Sequence, residues 1–80
     1  MIKEIFINDY RTIIIIIGIN GITVIRGKIE KDYIFNPDVK IIKKKRSVII
    51  KDYLPEEEEI LKQIVEDFEY LDFEKAEKRY

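Results

Sequence analysis

Lysine, arginine, aspartate, glutamate and tyrosine supply all the titratable side chains of this 80-residue sequence, because it contains neither histidine nor cysteine. A Ser–His or Cys–His nucleophilic pair therefore cannot be assembled within the chain. The commonest general base, the commonest zinc ligands and any disulfide are also missing. What remains is charge. The densest basic group is Lys40, Lys43, Lys44, Lys45, Arg46 and Lys51. Such a cluster could track phosphates by ion pairing and counterion release, with Tyr33, Phe35 and Tyr53 as stacking faces for single-stranded bases. The same lysines on an exposed strand could instead block edge-to-edge aggregation or pair with acidic residues.

The acidic counterpart is Glu56–Glu59. Four consecutive glutamates on a helix point in different directions, whereas a divalent cation needs ligands that converge. They are expected as a solvated helix start, their charge set against the positive end of the helix dipole. Asp9, Asp32, Asp38 and Asp52 fall at turns and strand ends, where Asp serves the backbone. Gly18, Gly21 and Gly27 lack the spacing, and the following helix, of a phosphate-binding loop. No catalytic residue, cofactor site or metal set is expected, which points to a protein that is not an enzyme.

The net charge of −1 conceals a strong asymmetry. Residues 1–51 hold eleven Lys and Arg against five Asp and Glu, a balance of +6, while residues 52–80 hold four against eleven, a balance of −7. A polyanion would meet attraction only on the first part.

Isoleucine outnumbers leucine nineteen to three, and β-branched runs favour a pleated, half-buried surface. Strands are expected at Ile2–Ile7, Tyr10–Gly18, Ile22–Ile29 and Tyr33–Phe35, with Asn20–Gly21 as a type I′ hairpin turn and Gly27 as a bulge or bend. Asn36-Pro37-Asp38 suits a type I turn. Val39–Ile42 and Ser47–Tyr53 read as two further strands, or as one long bent strand across 39–53. Pro55 can open a helix. Ile60, Leu61, Ile64, Val65, Phe68 and Leu71 then form one apolar stripe, so a helix is expected over 55–71 or longer. The fold class is α+β: a small twisted or partly closed antiparallel sheet of four to five strands followed by one C-terminal helix. It forms a single domain over 1–80, with a sheet part (1–54) and a helical part (55–80).

Two features leave apolar surface unassigned. Alternation along Ile13–Ile17 puts Ile13, Ile15 and Ile17 on one side and Ile14 and Ile16 on the other, so both sides call for cover. Either this is a central strand with one face in the core and one under the helix, or a second copy or partner covers Ile14 and Ile16. Beyond Leu71 the helical stripe loses phase. Tyr70, Phe73, Ala76 and Tyr80 form a second stripe, either packed back on the sheet or presented to another chain as interface anchors.

Strands followed by an acidic helix, with basic residues on the sheet, resemble in layout the small chromatin proteins of crenarchaea, although no sequence motif is shared and no family is assigned. Many Lys and Glu residues with few thermolabile ones match hyperthermophile usage, as in an archaeal source; an AT-rich genome gives a similar bias. Met1–Ile7 is interrupted by Lys3 and Glu4, unlike a signal peptide, and Ile13–Ile19 is too short to span a bilayer as a helix. A cytoplasmic location is expected, with no membrane association. The function expected is that of a small interaction protein, a homodimer or an accessory subunit of a larger partner. The alternative is a nucleic-acid binder using the Lys40–Lys51 surface.

Overall fold

The computed structural model describes residues 1–9 and 11–72, and among these the isoleucine-rich runs do form strands. In chain order they are β1 (Ile2–Ile7), β2 (Ile14–Ile17), β3 (Gly21–Arg26), β4 (Ile29–Ile34), β5 (Lys40–Lys43) and β6 (Ser47–Lys51). A 3-10 turn (Pro55–Glu57), helix α1 (Glu58–Asp67) and a two-residue strand β7 (Leu71–Asp72) follow. The strands make two antiparallel sheets, ordered β5-β6-β1-β7 and β2-β3-β4. Among the described residues, the single sheet of four to five strands expected from the sequence is thus replaced by seven strands in two sheets, within the α+β class.

Alternation decides what each sheet buries. Register pairs Ile5 with Val48 in the first sheet, and Ile15 with Val24 and Ile22 with Tyr33 in the second. All six side chains are buried, and they join one core with Leu61, Ile64 and Phe68. The core is therefore a shared space between the inner faces of two sheets, completed by the helix. Lys3 of β1 reaches Glu58 at 3.7 Å, and Lys31 of β4 reaches Asp67 at 3.3 Å, so α1 is tied to both sheets.

Several boundaries differ from expectation for identifiable reasons. The turn between β2 and β3 lies at Ile19–Asn20, closed by the Gly18 N–H donating to the Gly21 carbonyl at 2.8 Å. Asn20 does not have positive φ, so the type I′ turn is not formed. Gly21 is in the strand instead, where a Cβ would lie 2.4 Å from the Tyr33 carbonyl oxygen; only glycine lets β3 approach β4 this closely. Gly27, at φ +61°, opens a two-residue hairpin turn with Lys28, so the expected strand 22–29 is divided and β4 starts at Ile29. Residues 39–53 form a hairpin closed by the Lys44 N–H donating to the Ser47 carbonyl at 2.8 Å, not one bent strand.

The helix is shorter than its apolar stripe suggests. Phe68 leaves helical geometry at φ −129°, ψ 126°, and Leu71 pairs with Ile7 of β1. No basic residue occupies the last turn, where Glu66 and Asp67 oppose the negative end of the dipole. Asp67 is held there by other groups. The Tyr33 hydroxyl donates to it at 2.6 Å and the Gln63 amide at 2.7 Å. The Tyr33 bond holds the Asp67 carboxyl below the usual range, against the effect of burial, with Gln63 and Lys31 adding to it. Burial, followed by the bond and charge of Asp67, pushes the Tyr33 phenol upward and keeps it protonated. No helix among the described residues is long and apolar enough to cross a membrane.

At the other end of α1, Glu57 is buried rather than solvated. Its carboxylate accepts the Leu54 N–H and the Asn36 side-chain amide, both at 2.8 Å. Asn36 also donates to the Asp52 carbonyl and accepts the Asp38 N–H, which builds the expected turn at 36–38. One asparagine thus joins that turn, the end of β6 and the start of the helix. Burial alone would raise the Glu57 carboxyl, but the bonds from Leu54 and Asn36 outweigh it and hold it below its ordinary value.

Two outcomes are expected. Leu61→Ala should cost about 2–5 kcal/mol in denaturant unfolding, because the side chain is fully buried where both sheets meet the helix. Glu57 has a folded pKa below its unfolded value, so its contribution is complete above the ordinary glutamate pKa and is lost as pH falls through the folded one. Thermal melts should show wild type ahead of Glu57→Gln at neutral pH, with the gap closing in acid.

Candidate interaction surface

Outward-facing residues of β2, β3 and β4 form three rows across the second sheet: Ile14–Ile25–Glu30, Ile16–Thr23–Asp32, and Ile34 beside Gly21. Gly18, hydrogen-bonded to Gly21, continues the last row toward the edge. Ile14, Ile16 and Ile34 are 58%, 52% and 68% exposed, and Ile19 in the adjoining turn is almost fully so. Thr23 donates to Asp32 at 2.6 Å, so the polar pair in the middle row partly satisfies itself. The bare Gly18–Gly21 backbone leaves a shallow depression of about 250 Å³ bordered by Ile16, Ile19 and Ile34.

Ile13–Ile17 was expected either as a central strand or as a strand with one face covered by another chain. The central position is not what forms. β2 is an edge strand, with Ile13 and Ile15 in the core and Ile14 and Ile16 facing outward. The helix packs on the inner side, where Leu61, Ile64 and Phe68 join the shared core.

Tyr70 does not sit on a helical stripe. It lies in the turn before β7, half-buried against the core, with the Arg26 guanidinium 4.9 Å from its ring centre. Arg26 also pairs with Glu69 at 3.3 Å. Phe73, Ala76 and Tyr80 lie outside the described residues.

The basic cluster is dispersed. Lys40 and Lys51 are register partners on the outward side of the first sheet, and Lys40 pairs with Asp52 at 3.8 Å. Lys43 shares its row with buried Val48, and its ammonium donates to the Lys44 carbonyl at 3.0 Å. Lys44, Lys45 and Arg46 occupy the hairpin link, where Arg46 lines a polar depression with Asn8, Asp9, Arg11 and Thr12. Tyr33, Phe35 and Tyr53 are all buried, so no base can stack on them. β5 is an edge strand with lysine at each end, the arrangement that discourages edge pairing.

Sequence reasoning missed the buried role of Glu57 and the outward face centred on Thr23 and Asp32. The spacing Pro55-x-Glu57 was the available signal for the first, since a glutamate three positions after the residue preceding a helix can accept that residue's N–H. Among the described residues, no three acidic side chains are placed to hold a metal ion. No family model matches the chain, and neither a curated protein nor a solved structure is significantly similar to it.

The dispersal of the cations has a measurable consequence. Replacing Lys43, Lys44, Lys45 and Arg46 by glutamate should leave the melting temperature nearly unchanged, because exposed charges contribute little to folding. Wild type should bind DNA and RNA only weakly in filter or anisotropy assays at physiological salt. A nanomolar dissociation constant, with a log–log salt slope of about −0.7 to −0.9 per phosphate contact, would restore the nucleic-acid reading.

Proposed function

We propose that this chain is a small interaction protein that performs no chemistry of its own and works by association, as a homodimer or as an accessory subunit of a larger protein. The observation that carries this reading is the outward face of β2-β3-β4. Exposed Ile14, Ile16 and Ile34 lie on one side of a three-stranded sheet whose other side is already committed to the core. Scattered surface isoleucines need no explanation, but a contiguous apolar patch on so small a chain marks a contact surface. Exposed Glu30 lies at the margin of this patch, as the polar rim of a protein interface does, and the Thr23–Asp32 hydrogen bond partly satisfies the polar groups that lie within it.

Multi-angle light scattering at micromolar concentration tests the reading. Wild type should give a mass above the 9.7 kDa of one chain. Ile16→Glu combined with Ile34→Glu should return it to that mass with an unchanged circular dichroism spectrum, since both side chains are already half exposed or more. A monomer mass for wild type throughout that range would remove the homodimer form of the proposal.

A further inference from the structure

We infer that two copies join through the free edges of their β2 strands, antiparallel across a two-fold axis at Ile16, to make one continuous six-stranded sheet. The inference rests on the homodimer form of the function proposed above and specifies its geometry.

The backbone of β2 supplies the first argument. Because Gly18 is hydrogen-bonded to Gly21, alternation directs the N–H and C=O groups of Ile16 and Ile14 toward β3 and those of Ile15 and Ile17 away from it. Among the described residues no strand pairs with that second side of β2. Such a row of donors and acceptors is a template for another strand. Charge supplies the second argument. The other outermost strands carry it, with Lys40 and Lys43 on β5, Glu30, Lys31 and Asp32 on β4, and Asp72 on β7, whereas β2 is Ile-Ile-Ile-Ile. Two β5 edges would face lysine with lysine. Two β2 edges meet with no repulsion.

Shape fixes the register. Strands related by a two-fold axis normal to their sheet run antiparallel. With Ile16 on the axis, Ile15 of each copy exchanges both hydrogen bonds with Ile17 of the other. Ile16 then stands against its own counterpart in a closely spaced non-hydrogen-bonded pair. Ile14 falls opposite Gly18, so its exposed side chain enters the depression that Gly18 and Gly21 leave beside Ile16 and Ile34. The side chain without cover and the hollow without a side chain are thereby matched twice, once on each side of the axis.

Cysteine cross-linking tests this directly, since the chain has no native cysteine. Ile14 and Ile16 are exposed, and a Cβ at Gly18 would make only an ordinary 3.5 Å contact with the Gly21 carbonyl, so single substitutions should leave the fold intact. Under mild oxidation Ile16→Cys should link to itself. Ile14→Cys and Gly18→Cys should link to each other when mixed, and neither should link to itself. Gly18→Leu, which fills the hollow, should raise the dimer dissociation constant roughly tenfold or more. A wild-type dimer that lacks the 16–16 and 14–18 links would overturn the β2 pairing while leaving association through the sheet face standing. A monomeric wild type would overturn the β2 pairing together with the homodimer form of the proposed function.

Discussion

Ten helical residues serve as the common wall for two sheets, and this shortage of cover governs the rest of the molecule. An 80-residue chain has little interior, so its apolar side chains must be concentrated where they are buried most completely. Here that place is the space between the inner faces, where Ile5, Val24, Val48, Ile50, Leu61 and Ile64 are each fully enclosed. The helix is fastened at both ends to hold that position. Lys3 pairs with Glu58 near its start, and Tyr33 and Lys31 meet Asp67 at its finish. With α1 used on the inside, no second helix among the described residues covers the outward sides of the sheets.

The two sheets treat this exposure differently. In the first sheet, Glu4 faces outward in the same row as Ile49 and Ile42 and accepts a 2.6 Å hydrogen bond from Ser47, while Lys40 and Lys51 occupy the next row. Charge interrupts the apolar rows, and lysines guard the β5 edge. On the outward side of the second sheet the charge lies on β4, and the edge strand β2 has none. A charge-free strand of β-branched residues at an edge is an aggregation hazard unless it has a partner. Pairing with a second copy satisfies the edge and closes it, which makes the same sequence compatible with a discrete assembly.

Much of this was legible in the residues, and what was not has a physical cause. Alternation read Ile13, Ile15 and Ile17 correctly as one face and Ile14 and Ile16 as the other, because the period of a strand is fixed. It could not tell a central strand from an edge, since that depends on which strands pair at long range. The apolar stripe located Leu61, Ile64 and Phe68 in the core but overextended the helix to Leu71. A buried residue one further turn along a helix and a buried residue in a short returning strand give the same spacing. Glycine was informative but ambiguous: Gly21 marked a close backbone approach rather than a turn, and Gly27 a turn rather than a bulge. The basic residues are close in sequence, yet the hairpin puts Lys40 and Lys51 on one face, Lys43 in a row of the other, and Lys44, Lys45 and Arg46 in the link. Buried Glu57 was hidden in a run of four glutamates that differ only in the direction each points.

In the proposed dimer the outward backbone groups of β2 are occupied by a second chain. Amide exchange followed by NMR at several protein concentrations addresses those groups one by one. The Ile15 and Ile17 amides should be protected at high concentration and exchange progressively faster on dilution, while those of Ile14 and Ile16, bonded within the sheet, should change far less. Fast exchange at Ile15 and Ile17 at every concentration would contradict the β2 pairing.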